Sequence, residues 1–361
     1  MLRVLLATAV VLQHIGSLFG LTMTGSVVSV ETFYIVSGFY MALILSEKYV
    51  GSGAYALFIT NRFLRIFPVY WGILVLTVVV CIGSWLATGN ALLLHPYLTD
   101  YTQLSFSSLL YITLANLIVF GQDIVMFLTA DSTGNLVFTS NFWLRQPQLF
   151  NFLLVPQAWT LALELMFYLL APILIRRSTV VLVGLAVLSF GTRLYTYFVL
   201  GFTNDPWTYR FFPSELMFFL SGMISFRIYS RFRDRLPLSY ARAVWIMVIA
   251  ATVLFQYFPG GSVKMMGYFA LVTLGLPFIF TATRRSRADR QLGEMSYPVY
   301  LSHLLVFAVA DTLPILAGHK VVLRLTVLFG TFLVSFVLVK KVSRSLEEFR
   351  QRRTSAVAML A

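Results

Sequence analysis

The sequence predicts an all-α, polytopic integral-membrane bundle of about ten transmembrane helices, with a re-entrant or interfacial helix near residues 107–128. Three observations carry this. Of 361 residues, 59% are hydrophobic and only 11% charged, against roughly 25% charged in a soluble domain. The aromatic share of 16%, with thirty-three phenylalanines, suits lipid-facing helices and interfacial Trp/Tyr belts. The apolar residues also fall into windows long enough to cross about 30 Å of hydrocarbon.

These windows lie near residues 2–21, 27–46, 66–87, 107–128, 152–175, 179–200, 211–229, 241–258, 265–283, 297–316 and 321–340. The fourth is interrupted by Asn116, Gln122 and Asp123 and flanked by loop-rich sequence, so it reads as a helix that does not cross. Charge supports leaving it out. With a cytoplasmic N-terminus and ten crossings, the basic residues collect on the inside, all but Arg145, Arg193, Arg210, Lys264, Lys320 and Arg324 of the 27. An eleventh crossing would move most of them outside. Both termini are then expected in the cytoplasm, with residues 88–151 forming a long external excursion. Residues 1–340 read as one membrane domain, and 341–361 as a basic cytoplasmic tail, a helix lying on anionic lipid. The net charge of +13 is therefore assigned to membrane topology, and no nucleic-acid partner is expected.

The first window sets the functional question. Arg3 and His14 are eleven residues apart, three helical turns plus about 20°, so they share one face about 16 Å apart along the axis. An ionisable group placed deep in a membrane helix is costly and points to function. Glu164 stands near the middle of its window, while Glu31, Arg193, Glu215, His303 and Asp311 add further ionisable groups. So many in one bundle require a hydrated interior. Arg62 and Arg65, three apart before Pro68, present two guanidinium forks on one face, which suits a phosphate or equally a positively charged flank of a span. Other chemistries lack their parts. The four histidines never stand at i, i+4, so no metal site is expected, the single Cys81 reads as a core residue, and neither a nucleotide-binding glycine loop nor a nucleophile elbow occurs. What remains serves either group transfer from a cytoplasmic phosphorylated donor or transport of an anionic substrate.

Five segments then resemble, in order, the membrane-bound acyltransferase 3 family. RVLLATAVVLQH resembles its Arg-ten residues-His signature at Arg3 and His14. VETFYIVSGFYM resembles its second-helix element through Glu31, Phe33, Ser37, Gly38 and Phe39, with Tyr34 where a second Phe is usual. RFLRIFPVYW is similar to its Arg-x-x-Arg pattern at Arg62, Arg65 and Pro68, and AWTLALELMFYLLAPIL to its Trp-Ser/Thr-Leu-x-x-Glu helix at Trp159, Thr160, Leu161, Glu164, Phe167 and Tyr168. LGEMSYPVYLSH resembles its late Ser-Tyr segment at Ser296, Tyr297, Tyr300, Leu301 and His303.

The resemblance implies an O-acyltransferase of a bacterial plasma membrane. Acyl-CoA, most often acetyl-CoA, would be its co-substrate, with no permanently bound cofactor, and an envelope polysaccharide or glycan its acceptor. Arg62, Arg65 and Arg3 would hold the coenzyme A phosphates and His14 would act as general base. Glu164 would either orient His14 or contact the acceptor, and Glu31, Ser37, Trp159, Tyr168, Tyr297, Tyr300 and His303 would support the site. Ser37 is also a conceivable acyl carrier in a two-step transfer. The extra hydrolase-like domain of some members is not expected here, so one chain would carry the whole transfer. The competing reading is a transporter or flippase of an anionic or lipid-linked glycan, although the paired broken helices typical of transporters are not evident.

Overall fold

A computed structural model describes residues 1–51 and 53–358, with backbone alone at 344 and 354–358. It is helical almost throughout. The first three helices are α1 (Leu2–Ile15), α2 (Gly25–Glu47) and α3 (Ala54–Thr88). The excursion that follows holds α4 (His95–Thr99), α5 (Phe106–Ile118) and α6 (Gln122–Val125), then a hairpin of β1 (Leu128–Ala130) and β2 (Leu136–Phe138). Next come α7 (Trp159–Leu174), α8 (Thr179–Leu194), α9 (Phe212–Phe232), α10 (Leu238–Leu254), α11 (Gly261–Thr283), α12 (Arg287–Asp311), α13 (Lys320–Leu338) and α14 (Arg344–Ala358).

Among the described residues, α2, α3, α7, α8, α10, α11 and α13 are long and apolar enough to cross a membrane, and the protein is an integral membrane protein. With α1, α9 and α12 they correspond to the ten windows read from the sequence. The three additions differ: α9 and α12 have the length but carry charges, whereas α1 has only 14 residues, about 21 Å. The fourth window breaks into α5 and α6 at Val119 and Gly121, both at positive φ, and its 13-residue first part is too short to cross.

Local signals set several helix starts. The Ser105, Ser178 and Ser286 hydroxyls accept the backbone N–H groups of Ser108, Val181 and Asp289, satisfying donors that the first turn leaves open. Two expectations need correction. The first window runs to residue 21, but α1 stops at Ile15. Gly16 takes φ +90°, and the Arg324 guanidinium of α13 donates to the carbonyls of Ile15 and Ser17. The third window begins at residue 66, leaving Arg62 and Arg65 on its flank. Instead α3 begins at Ala54 and runs unbroken through both arginines and Pro68.

The core is built on α2 and α9. Their backbones touch at two glycines: a Cβ at Gly38 would lie 1.9 Å from the Phe219 carbonyl oxygen, and one at Gly222 would lie 1.9 Å from that of Ile35. Small residues permit such approach where helices must pack by van der Waals contact alone. The crossing seals a buried ion triad. Arg193, from the otherwise lipid-facing α8, donates to Glu31 at 2.6 Å and to Glu215 at 3.1 Å, and both carboxylates are fully buried. On the other side, α7 meets α2, and α1 packs between α2 and α12 through the fully buried Leu6, Ala7 and Ala9.

Gly38→Ala should destabilise the protein by about 1–3 kcal/mol or more, since overpacking must push two backbones apart. Gly83→Ala, where a Cβ would meet nothing within 4 Å, should leave stability unchanged or raise it by up to about 1 kcal/mol. Thermal unfolding of the detergent-solubilised variants, followed by size-exclusion fluorescence, checks the difference.

Candidate active site

The residues singled out from the sequence gather into two groups at opposite ends of α1. Because that helix stops at Ile15, His14 stands in its last turn and is exposed, rather than buried halfway along a long span. Its Nδ1 lies 2.9 Å from the Val10 carbonyl one turn back. With Nδ1–H donating to that carbonyl, the neutral ring presents Nε2 as an acceptor. Facing it across α1 and α12 is the fully buried His303, with ring centroids 5.0 Å apart. His303 Nδ1 lies 2.7 Å from the Tyr300 carbonyl, and its Nε2 has no hydrogen-bond partner.

Tyr300 and its neighbours hold α12 in register. The Tyr300 hydroxyl donates to the Gln157 carbonyl at 3.0 Å and accepts from Thr160 at 3.1 Å, while the Gln157 side chain donates to the Leu301 carbonyl. The Tyr297 hydroxyl donates to the Ile66 carbonyl of α3 at 2.9 Å. Trp159 lies beneath Arg210, whose guanidinium carbon is 4.2 Å from the ring centroid. Arg210 lies in the segment before α9 and pairs with Asp205. It was absent from the sequence-based set, since a loop arginine five residues after Asp205 carries no signal of its own.

The second group surrounds Arg3. Its charged and phenolic neighbours are Arg65, Glu164, Tyr40 and Tyr168. Glu164 is therefore grouped with the arginines: it accepts from the Ser37 hydroxyl at 2.7 Å and from Tyr168, and neither hydrogen bond involves His14. Arg62 is almost wholly buried, yet its Nε and Nη1 have no hydrogen-bond partner. Buried donors left open in this way are a costly feature that an anionic ligand would relieve. Glu31 belongs to neither group, being held in the triad with Arg193 and Glu215.

The C-terminal segment adds to the arginine group. The helix α14 continues α13 through the π-turn Val339–Ser343 and packs against the start of α3. There Arg353 donates to Asn61 at 3.3 Å and to Thr60 at 3.0 Å. Burial, together with the charges of Arg62 and Arg65, brings the Arg350 guanidinium down to about 10. Burial works against ionisation of Glu347, but Arg350 and Gln351 beside it hold its carboxyl below the usual range. No sequence signal distinguishes this from a solvated basic tail, because contact with α3 is a tertiary property.

An acyltransferase domain of the acyltransferase 3 family matches residues 1–340. The chain belongs to that family. This acyltransferase is also 25% identical over 206 residues to an uncharacterized protein of Aquifex aeolicus (strain VF5), a match covering 55% of this chain and 91% of that protein. No solved structure matches it. Family membership makes the protein a membrane acyltransferase. Among the described residues no cluster of His, Cys, Asp or Glu could hold a metal ion.

If α14 covers the arginine group as described, a cysteine at position 61 should be shielded. In the Asn61→Cys variant, maleimide labelling should be several-fold faster once residues 344–361 are removed than in the full-length chain. Equal rates would place α14 elsewhere.

Proposed function

We propose that the protein moves an acyl group, most commonly acetyl, from acyl-CoA to a hydroxyl of an envelope polysaccharide or glycan. The observation that carries this is the division of labour along α1, with a cationic group around Arg3 at one end and an imidazole pair at the other. Arg62, with two open buried donors, and Arg65 and Arg3 beside it would bind the phosphates of coenzyme A at the cytoplasmic face. The pantetheine would run through the bundle toward His14. The charge-rich end and both termini then face the cytoplasm, a reading that the distribution of basic residues supports, and the membrane is taken to be a bacterial plasma membrane.

At the far end, His14 Nε2 takes the proton of the acceptor hydroxyl as its oxygen attacks the thioester carbonyl. The tetrahedral intermediate collapses by breaking the carbon–sulfur bond, and the imidazolium returns the proton to the departing thiolate. The products are an O-acylated glycan and free coenzyme A. The backbone bond to Val10 fixes the ring for this work. Direct transfer fits better than a Ser37 acyl-enzyme, because the Ser37 hydroxyl is committed to Glu164 in the arginine group, away from the imidazoles.

His14→Ala should lower acyl transfer from acetyl-CoA by about 10²–10⁴-fold with expression and thermal stability unchanged, measured by mass spectrometry of the surface polysaccharide and by coenzyme A release. Arg62→Ala should raise the KM for acetyl-CoA while leaving acceptor KM unchanged. Full transfer by the His14 variant would remove the base assignment. Movement of a labelled glycan across proteoliposomes without consumption of acetyl-CoA would instead identify a transporter.

A further inference from the structure

The excursion and the chain leading into α9 line a partly open pocket of about 280 Å³. Its walls include Phe127, Phe138, Trp207 and Phe211, with Asp123 and Arg210 as its ionisable members. Trp207 is the centre of the aromatic wall. Phe202 stacks against it at 4.4 Å, Phe127 meets it edge-on at 5.0 Å, and its indole N–H is fixed on the Ser140 carbonyl at 3.0 Å. Such a platform is rigid before anything binds.

The two ionisable residues are each more than nine-tenths buried, and each has an open hydrogen-bonding atom. Asp123 Oδ1 lacks a partner, and burial pushes its carboxyl up to about 6. Arg210 binds Asp205 through Nε at 2.5 Å and Nη2 at 2.8 Å, but its Nη1 is unpartnered. One open acceptor and one open donor beside aromatic faces call for a ligand with apolar faces and hydroxyl edges. An acyl chain would leave both polar atoms unsatisfied. A bare phosphate would meet the Asp123 carboxylate as a like charge.

We propose that this cavity is a sugar-binding subsite, taking one pyranose-sized unit of the acceptor, with Trp207 as its stacking platform and Asp123 and Arg210 Nη1 as its hydrogen-bonding pair. Its volume lies just below the roughly 300–1,000 Å³ of small-ligand pockets, which suits a single ring. Arg210 ties the subsite to the α7 end of the candidate site, because it lines the pocket and its guanidinium lies over the Trp159 ring. The assignment rests on the acyl-transfer reading only for the identity of the glycan as acceptor.

Saturation-transfer NMR tests it on the full-length protein in lipid nanodiscs, with the methyl glycosides of glucose, galactose, rhamnose and N-acetylglucosamine and with octanoate as probes. At least one glycoside should bind saturably, and Trp207→Ala and Asp123→Asn should each weaken it about tenfold or more. Trp207→Phe, which keeps a ring, should restore part of the binding. Trp143→Ala should change nothing, because that exposed tryptophan packs on Phe142 and Phe150 and does not line the cavity. In turnover, Trp207→Ala should raise acceptor KM and leave the KM for acetyl-CoA alone. Glycoside binding that depends on Trp207, with no acyl transfer under any condition, would uphold the subsite and remove the acyl-transfer reading. Binding of octanoate but no glycoside, or undiminished glycoside binding by folded Trp207→Ala and Asp123→Asn variants, would overturn the subsite.

Discussion

The α2–α9 crossing is the contact from which the other helices take their places. Two glycines let each backbone reach the other's carbonyl, and no side chain larger than hydrogen fits at either point. Hydrophobic burial cannot drive helices together in lipid as it does in water, so close packing and buried polar bonds must supply the specificity. Here both occur together. The same pair of helices delivers Glu31 and Glu215 to Arg193, which fixes α8 against them. Breaking one partner of a buried ionic set is far more costly than an exposed pair, because the remaining charge is stranded. Through Ser37 and Glu164, α2 also registers α7, and with it one wall of the arginine group.

The site obeys a second constraint, the early end of α1. A longer first helix would carry the chain past His14 and bury the ring among apolar neighbours. Gly16 and the Arg324 guanidinium end the helix one residue later, so the imidazole is anchored by its own backbone and still accessible. Arg324 is 310 residues from His14 in sequence and touches neither ring directly, yet it holds the carbonyls at the helix end that carries one of them.

Much of this was legible in the sequence, for identifiable physical reasons. Helix spacing placed Arg3 and His14 on one face, because both lie within one regular element. Apolar length marked the seven helices long enough to cross a membrane, and the polar interruptions at Asn116, Gln122 and Asp123 marked a segment that would break. The rest depended on distance in sequence. Nothing in the pattern says that Glu31 pairs with Arg193, that His303 faces His14, or that Arg350 joins Arg62 and Arg65. Gly38 is a different case. It lies within a family-like motif and reads as part of a reactive segment, yet its place against the Phe219 carbonyl makes it a packing requirement. A motif can thus combine residues that do chemistry with residues that only bring helices together, and sequence alone does not separate them.

Arg210 has two neighbours at once, the aromatic pocket and the Trp159 ring of α7. Equilibria that share a group are linked, and linkage is reciprocal. A ligand that shifted this guanidinium would disturb the packing at the head of α7. By the same free energy, a change in that packing would alter how firmly the ligand is held.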